Sequence, residues 1–121
     1  MRVIEKRILL VDDDPDLGFL LMHVLSGAGY RVDLAKTGEA AWDYLDKREY
    51  ALVIADWRLP DSDGLTIANS ASDSGAKTIV MSGYLLQMSE SRAAAHETLL
   101  KPVRPDELLD IVERLIGLSR A

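Results

Sequence analysis

The chain of 121 residues has no cysteine, a single phenylalanine and two histidines. Without cysteine there can be no disulfide and no thiolate metal site. His23 and His96 have neither a second histidine nor a carboxylate at ligand spacing, so both are expected to be structural or solvent-facing. Long apolar runs are also missing. The longest, Ile8-Leu9-Leu10-Val11 and Phe19-Leu20-Leu21-Met22, fall far short of the roughly 20 residues that span a bilayer. The opening stretch from Met1 to Arg7 lacks the apolar core of a secretory signal. Positive charge is in deficit, with 14 Lys and Arg against 20 Asp and Glu and a net charge of −6. That balance argues against gripping a nucleic-acid backbone, which takes clustered cations. No glycine-rich loop offers to cradle a nucleotide. These absences point to a soluble cytoplasmic protein that contacts neither nucleic acid nor membrane directly.

What is present is enough to fold. Hydrophobic residues make up 48% of the chain and charged residues 28%, and the length fits one domain over residues 1–121, with no linker and no output domain expected to follow. Short apolar runs alternate with helical patterns about five times. Strands are expected over Arg7–Asp13, Arg31–Ala35, Ala51–Asp56, Lys77–Met81 and Thr98–Leu100. Asp14 suits an N-cap and Pro15 the first helical position, followed by Leu17, Leu20, Leu21, Val24 and Leu25 at helical spacing and by Gly27 and Gly29 as a stop. A second helix starts near Thr37 and buries Ala40, Ala41, Tyr44 and Leu45, with Trp42 turned away. A third is short, from Leu65 to Ala71, ahead of the breakers Ser72-Asp73-Ser74-Gly75. A fourth covers Leu85–His96, and a fifth opens at Pro105 and buries Leu108, Ile111, Val112 and Leu115. The pattern is that of an α/β fold with a five-stranded parallel sheet, doubly wound, with helices on both faces.

Polar residues stand at the ends of four of these strand runs: Asp12 and Asp13, Asp56, Ser82, and Lys101 followed by Pro102. Ligands of open α/β sheets bind at the carboxyl ends of the strands, so the topology can bring three carboxylates, a hydroxyl and an ammonium together. Two carboxylates about 5 Å apart repel by roughly 3 kcal/mol at an effective dielectric near 20. Such a cluster raises a pKa or recruits a cation. Oxygen ligands without histidine or cysteine favour Mg²⁺. Asp56 can act as a nucleophile toward phosphorus, Lys101 and Ser82 can meet the equatorial oxygens, and Gly83 leaves room beside them.

Leu10-Val11-Asp12-Asp13-Asp14-Pro15, Asp56-Trp57-Arg58-Leu59-Pro60-Asp61-Ser62-Asp63-Gly64 and Leu99-Leu100-Lys101-Pro102 together resemble the receiver domain of two-component response regulators, over essentially the whole chain. The resemblance implies a flavodoxin-like receiver fold and a phosphoryl-accepting signalling role rather than an enzyme acting on other substrates. It implies that Asp56 takes a phosphoryl group from the phosphohistidine of a histidine kinase. Mg²⁺ would be bound by Asp12, Asp13, Asp56 and the backbone carbonyl of Arg58. It also implies a cis bond before Pro102, against about 5% of X-Pro bonds generally. The phosphoryl group could alternatively pass to a histidine phosphotransfer protein, and the chain could be a receiver cut from a larger protein. Contacts with an unknown downstream partner are expected on the first, fourth and fifth helical segments. A homodimer would form through the last two; on the fifth, Leu109 and Ile116 widen the apolar stripe, as an interface or as deep core positions.

The pattern departs from the family in places. Thr98 stands where an inward-turning aromatic is usual, and Tyr84, after Ser82-Gly83, is the candidate to take its part. Between Ser82 and Lys101 the chain is nearly one helical turn shorter than usual. Arg58 and Tyr84 stand where bulky side chains hinder the hydrolytic water, so a long-lived aspartyl phosphate is expected. Two rivals fit worse. A haloacid-dehalogenase-like phosphatase would use Asp12 and Asp14, but Pro15 and Leu17 match its motif poorly and no later acidic pair follows Lys101. An unphosphorylated pseudo-receiver would not need the complete residue set. The run Asp61-Ser62-Asp63-Gly64 lacks the spacing of a calcium loop and reads as a tight turn.

Overall fold

The computed structural model describes residues 6–83 and 96–118. Five strands, β1 (Arg7–Val11), β2 (Arg31–Ala35), β3 (Leu52–Asp56), β4 (Lys77–Ser82) and β5 (Glu97–Leu100), form one parallel sheet in the order β2-β1-β3-β4-β5. Among the described residues four helices accompany them: α1 (Pro15–Gly27), α2 (Gly38–Lys47), α3 (Gly64–Asp73) and α4 (Pro105–Ile116). The fourth helical segment expected from the sequence, apart from His96, lies outside the described residues, as does Tyr84.

Continuous apolar strands follow from burial on both faces. Successive side chains of a strand point to opposite sides, and here they feed two separate cores. Ile8 and Leu10 of β1, Leu52 and Ile54 of β3, and Ile79 and Met81 of β4 pack with Leu21 and Leu25 of α1 and Leu108 and Val112 of α4. Leu9, Val11, Val53 and Ala55 pack on the other face with Ala41 of α2 and with Ile67 and Ala71 of α3. Leu109 and Ile116 are half-buried and lie against the first of these cores, which accounts for their place in the apolar stripe. Trp42, expected to face away, instead packs half-buried against the second core.

The helix boundaries are made by local chemistry. Asp14 accepts from the Asp16 and Leu17 amides at 3.0 and 3.3 Å, and Pro15 occupies the first turn of α1. The Thr37 hydroxyl caps α2 through the Ala40 amide at 3.1 Å. Asp63 caps α3 through the Leu65 amide at 2.8 Å, which starts that helix earlier than the apolar pattern suggests. At its other end α3 runs through Ser72 and Asp73 before Gly75, at φ 98, turns the chain.

Candidate functional site

The strand ends deliver the expected groups to one edge. β1 stops at Val11, and Asp12 follows fully buried, its amide donating to Ala35 O at 3.0 Å and so aligning it with the end of β2. Asp13 is exposed. Asp56 closes β3 and Ser82 closes β4, both buried. The Trp57 amide donates to Met81 O at 2.8 Å and the Lys101 amide to Ser82 O at 2.9 Å, so the backbone pairing runs past the strand ends and sets the groups side by side.

Carboxylate oxygens of Asp12, Asp13 and Asp56 lie within 4.8 Å of one another. Lys101 Nζ donates to Asp56 Oδ2 at 2.8 Å and stands 3.5 Å from Asp12 Oδ2. Asp12 Oδ1 accepts from the Asp14 amide at 2.9 Å, whereas its buried Oδ2 has no hydrogen-bond partner among the described residues. Burial pushes the Asp12 carboxyl above its ordinary pKa, against the pull of the Asp14 amide and the Lys101 ammonium. Burial also works against the charge of Lys101, but its hydrogen bond to Asp56 and the fields of both carboxylates outweigh that and raise its pKa. An oxygen-only donor set with one buried, unpartnered oxygen fits a hard divalent cation.

The remaining predicted residues fall as follows. The Lys101-Pro102 bond is cis. Gly83 is exposed, and a Cβ there would meet open space. Thr98 is half-buried in β5, opposite Val80 in register. The Arg58 guanidinium lies 5.3 Å from the Trp57 ring centroid. The Asp61–Gly64 turn is closed by the Leu59 amide on Ser62 O at 3.1 Å, and Gly64 is required because a Cβ would sit 1.9 Å from the Asp56 carbonyl oxygen. His23 is exposed and meets the Phe19 ring edge-on.

Two sets of contacts were not foreseen from the sequence. His96, expected to be structural or solvent-facing, is structural: it is buried, its Nδ1 2.5 Å from Thr78 Oγ1 and its Nε2 2.7 Å from Asn69 Oδ1. The Asp61 carboxylate accepts from the Gly38 and Glu39 amides. Both link residues more than a dozen positions apart, which local periodicity does not report. Among the described residues, two cavities of about 430 Å³ lie away from the cluster: one between α2 and α3, lined by Trp42 and Tyr50, and one beside Lys77 and Glu97.

The family model for the response regulator receiver domain matches residues 8–113. The chain is 39% identical over 121 residues to the response regulator RppA of Synechocystis, a match covering 94% of this chain and 50% of that protein, so it spans about half of RppA's length. It is 31% identical to sporulation initiation phosphotransferase F of Bacillus subtilis, covering 97% of this chain and 98% of that protein. In structure it is similar to the response regulator TrrA of Thermotoga maritima in complex with Mg²⁺-BeF, with a TM-score of 0.81 and 35% identity over 91% of this chain and 98% of that one. The chain belongs to the receiver-domain family of two-component response regulators. No helix among the described residues is long and apolar enough to cross a membrane.

Proposed function

We propose that Asp56 is the phosphoacceptor of a single receiver domain that signals by changing its protein contacts. The observation that carries the reading is the meeting of three carboxylates within 4.8 Å, with Lys101 bound to Asp56. An Asp56 carboxylate oxygen attacks the phosphorus of a phosphohistidine, the P–N bond breaks, and its electron pair leaves with the imidazole nitrogen. Lys101 Nζ meets charge on the transferring group, and the Ser82 hydroxyl donates to another of its oxygens. Asp12, Asp13, Asp56 and the Arg58 carbonyl are the residues that would hold Mg²⁺, which when bound neutralises charge on the equatorial oxygens. The chain acts on itself alone, accepting and later losing its phosphoryl group. Its donors are a histidine kinase or a histidine phosphotransfer protein. On α1, beside the site, Phe19 and Leu20 are 57% and 48% exposed and offer such a partner an apolar contact.

A relay role, with Asp56 passing its phosphoryl group on to a histidine, is supported by the similarity over nearly its whole length to sporulation initiation phosphotransferase F. The primary reading is tested by intact mass after incubation with acetyl phosphate and Mg²⁺. One phosphoryl mass is expected in the wild type, none in Asp56→Asn, and none after chelation. A wild-type mass that stays unchanged would refute phosphoacceptance.

A further inference from the structure

The loop between β3 and α3 is tied to itself at several points. The Leu59 amide donates to Ser62 O at 3.1 Å, the Gly64 amide to Trp57 O at 2.8 Å, and Arg58 and Asp63 form an antiparallel bridge. Asp61 does something different. Its side chain leaves the loop and spans the first two amides of α2, with Gly38 N–H donating to Oδ1 at 2.8 Å and Glu39 N–H to Oδ2 at 3.0 Å. The approach is close: a Cβ on Gly38 would lie 2.4 Å from Ser62 Cβ and 3.1 Å from Asp61 Oδ1. Glycine is therefore needed at position 38 for the loop to reach the helix.

Helix α2 supplies no carboxylate to the cluster, and it already carries a cap of its own, since Thr37 takes the Ala40 amide. Asp61 is exposed, so water can replace it at the Gly38 and Glu39 amides. Water cannot replace it in holding the loop to the helix. The mechanical consequence of the contact thus falls on the loop, which begins at the phosphoacceptor and carries Arg58.

We infer that Asp61 is a positioning residue for the cation site: its carboxylate, clamped across the first turn of α2, holds the loop that presents the Arg58 carbonyl and so sets divalent-cation affinity. The inference rests on the proposed reading of the carboxylate cluster. Groups that orient first-shell ligands commonly change metal affinity by about 10- to 100-fold when removed.

Mn²⁺ binding, followed by loss of the free-ion EPR signal, tests this in the full chain. Asp61→Ala is expected to weaken binding about tenfold, at the lower end of that range. Asp61→Asn, whose amide oxygen can accept only part of the contact, is expected to fall between. Tyr50→Phe, which loses the hydrogen bond to Asp33 away from the loop and from the first turn of α2, should lower the melting temperature and leave Mn²⁺ affinity unchanged. Wild-type affinity in Asp61→Ala, or equal weakening in Tyr50→Phe, would overturn the inference. Asp13→Asn separates the two levels. If the wild type binds no better than Asp13→Asn, the carboxylate reading fails; if it binds better and Asp61→Ala matches it, only the clamp fails.

Discussion

At the scale of single residues, Lys101 sits where opposing demands meet. Its ammonium lies between Asp56 at 2.8 Å and Asp12 at 3.5 Å, and is the cation seen balancing that pair. Removing it leaves buried carboxylates uncompensated, at a cost of about 1–3 kcal/mol for a group stranded without its partner. Lys101→Ala should therefore melt well below the wild type in chelator, and saturating Mg²⁺ should recover most of the difference. A deficit of the same size in both conditions would show that Lys101 does not balance the cluster. The variant should also accept a phosphoryl group from acetyl phosphate more slowly. Arg58 is exposed beside Trp57, on the loop that leaves Asp56. Arg58→Ala opens the approach of water, so the phosphorylated form is expected to decay faster, read as phosphoryl loss by intact mass over time. Lys101 was legible because it punctuates an apolar run, and Arg58 through the family motif that follows Asp56. Asp61 and His96 were not, since their partners are 22 to 27 positions away for Asp61–Glu39, Asp61–Gly38 and His96–Asn69, and spacing along the chain carries no trace of such pairs.

At the scale of elements, His96 fastens the start of β5 to β4 through Thr78 and to α3 through Asn69. A neutral ring donating from Nε2 to the Asn69 oxygen and accepting the Thr78 hydroxyl at Nδ1 satisfies both contacts. Burial lowers its pKa from 6.5, so in the folded state it resists protonation. Among the described residues, the charged side chains lining the adjacent cavity are Lys77 and Glu97, and Glu97 is paired with Arg114 at 2.6 Å. The sign of the effect follows from linkage: as pH falls through 6.5 the unfolded chain gains a proton here that the folded chain does not, and stability drops. The advantage of the wild type over His96→Gln in melting temperature should shrink between pH 7.5 and pH 5. A constant gap would show that His96 does not titrate with folding. Element boundaries show a similar division of what was readable. Asp14 announced α1 as a cap and the start of α2 near Thr37 was expected, whereas α3 exceeds its apolar pattern at both ends because Asp63 starts it early and Gly75 stops it late.

At the scale of the whole molecule, a five-stranded parallel sheet was expected from unbroken apolar runs alternating with helical patterns, because a strand covered on both sides has no polar face to show, whereas the order β2-β1-β3-β4-β5 was not read from the sequence. The division into two cores was not spelled out, since both faces of such a strand read alike. It becomes visible only with the helices in place, α1 and α4 on one side and α2 and α3 on the other. The exposed Phe19 and Leu20 stand out against this arrangement. Replacing both by alanine should change stability by no more than about 0.5 kcal/mol, as surface substitutions usually do. Phosphorylation by acetyl phosphate should be untouched, while transfer from a histidine kinase should slow. Equal rates from the kinase would place its docking surface elsewhere.

The register of the sheet also bears on how this protein comes into being. Asp12 follows β1, Asp56 ends β3, and Lys101 follows β5, which lies at the sheet's edge. The Lys101 amide reaches its place only by pairing with the end of β4. A nascent or clipped chain ending before β5 could carry all three carboxylates and still lack the cation that balances them. The balance of charge around the three carboxylates therefore depends on β5 joining the sheet beside β4.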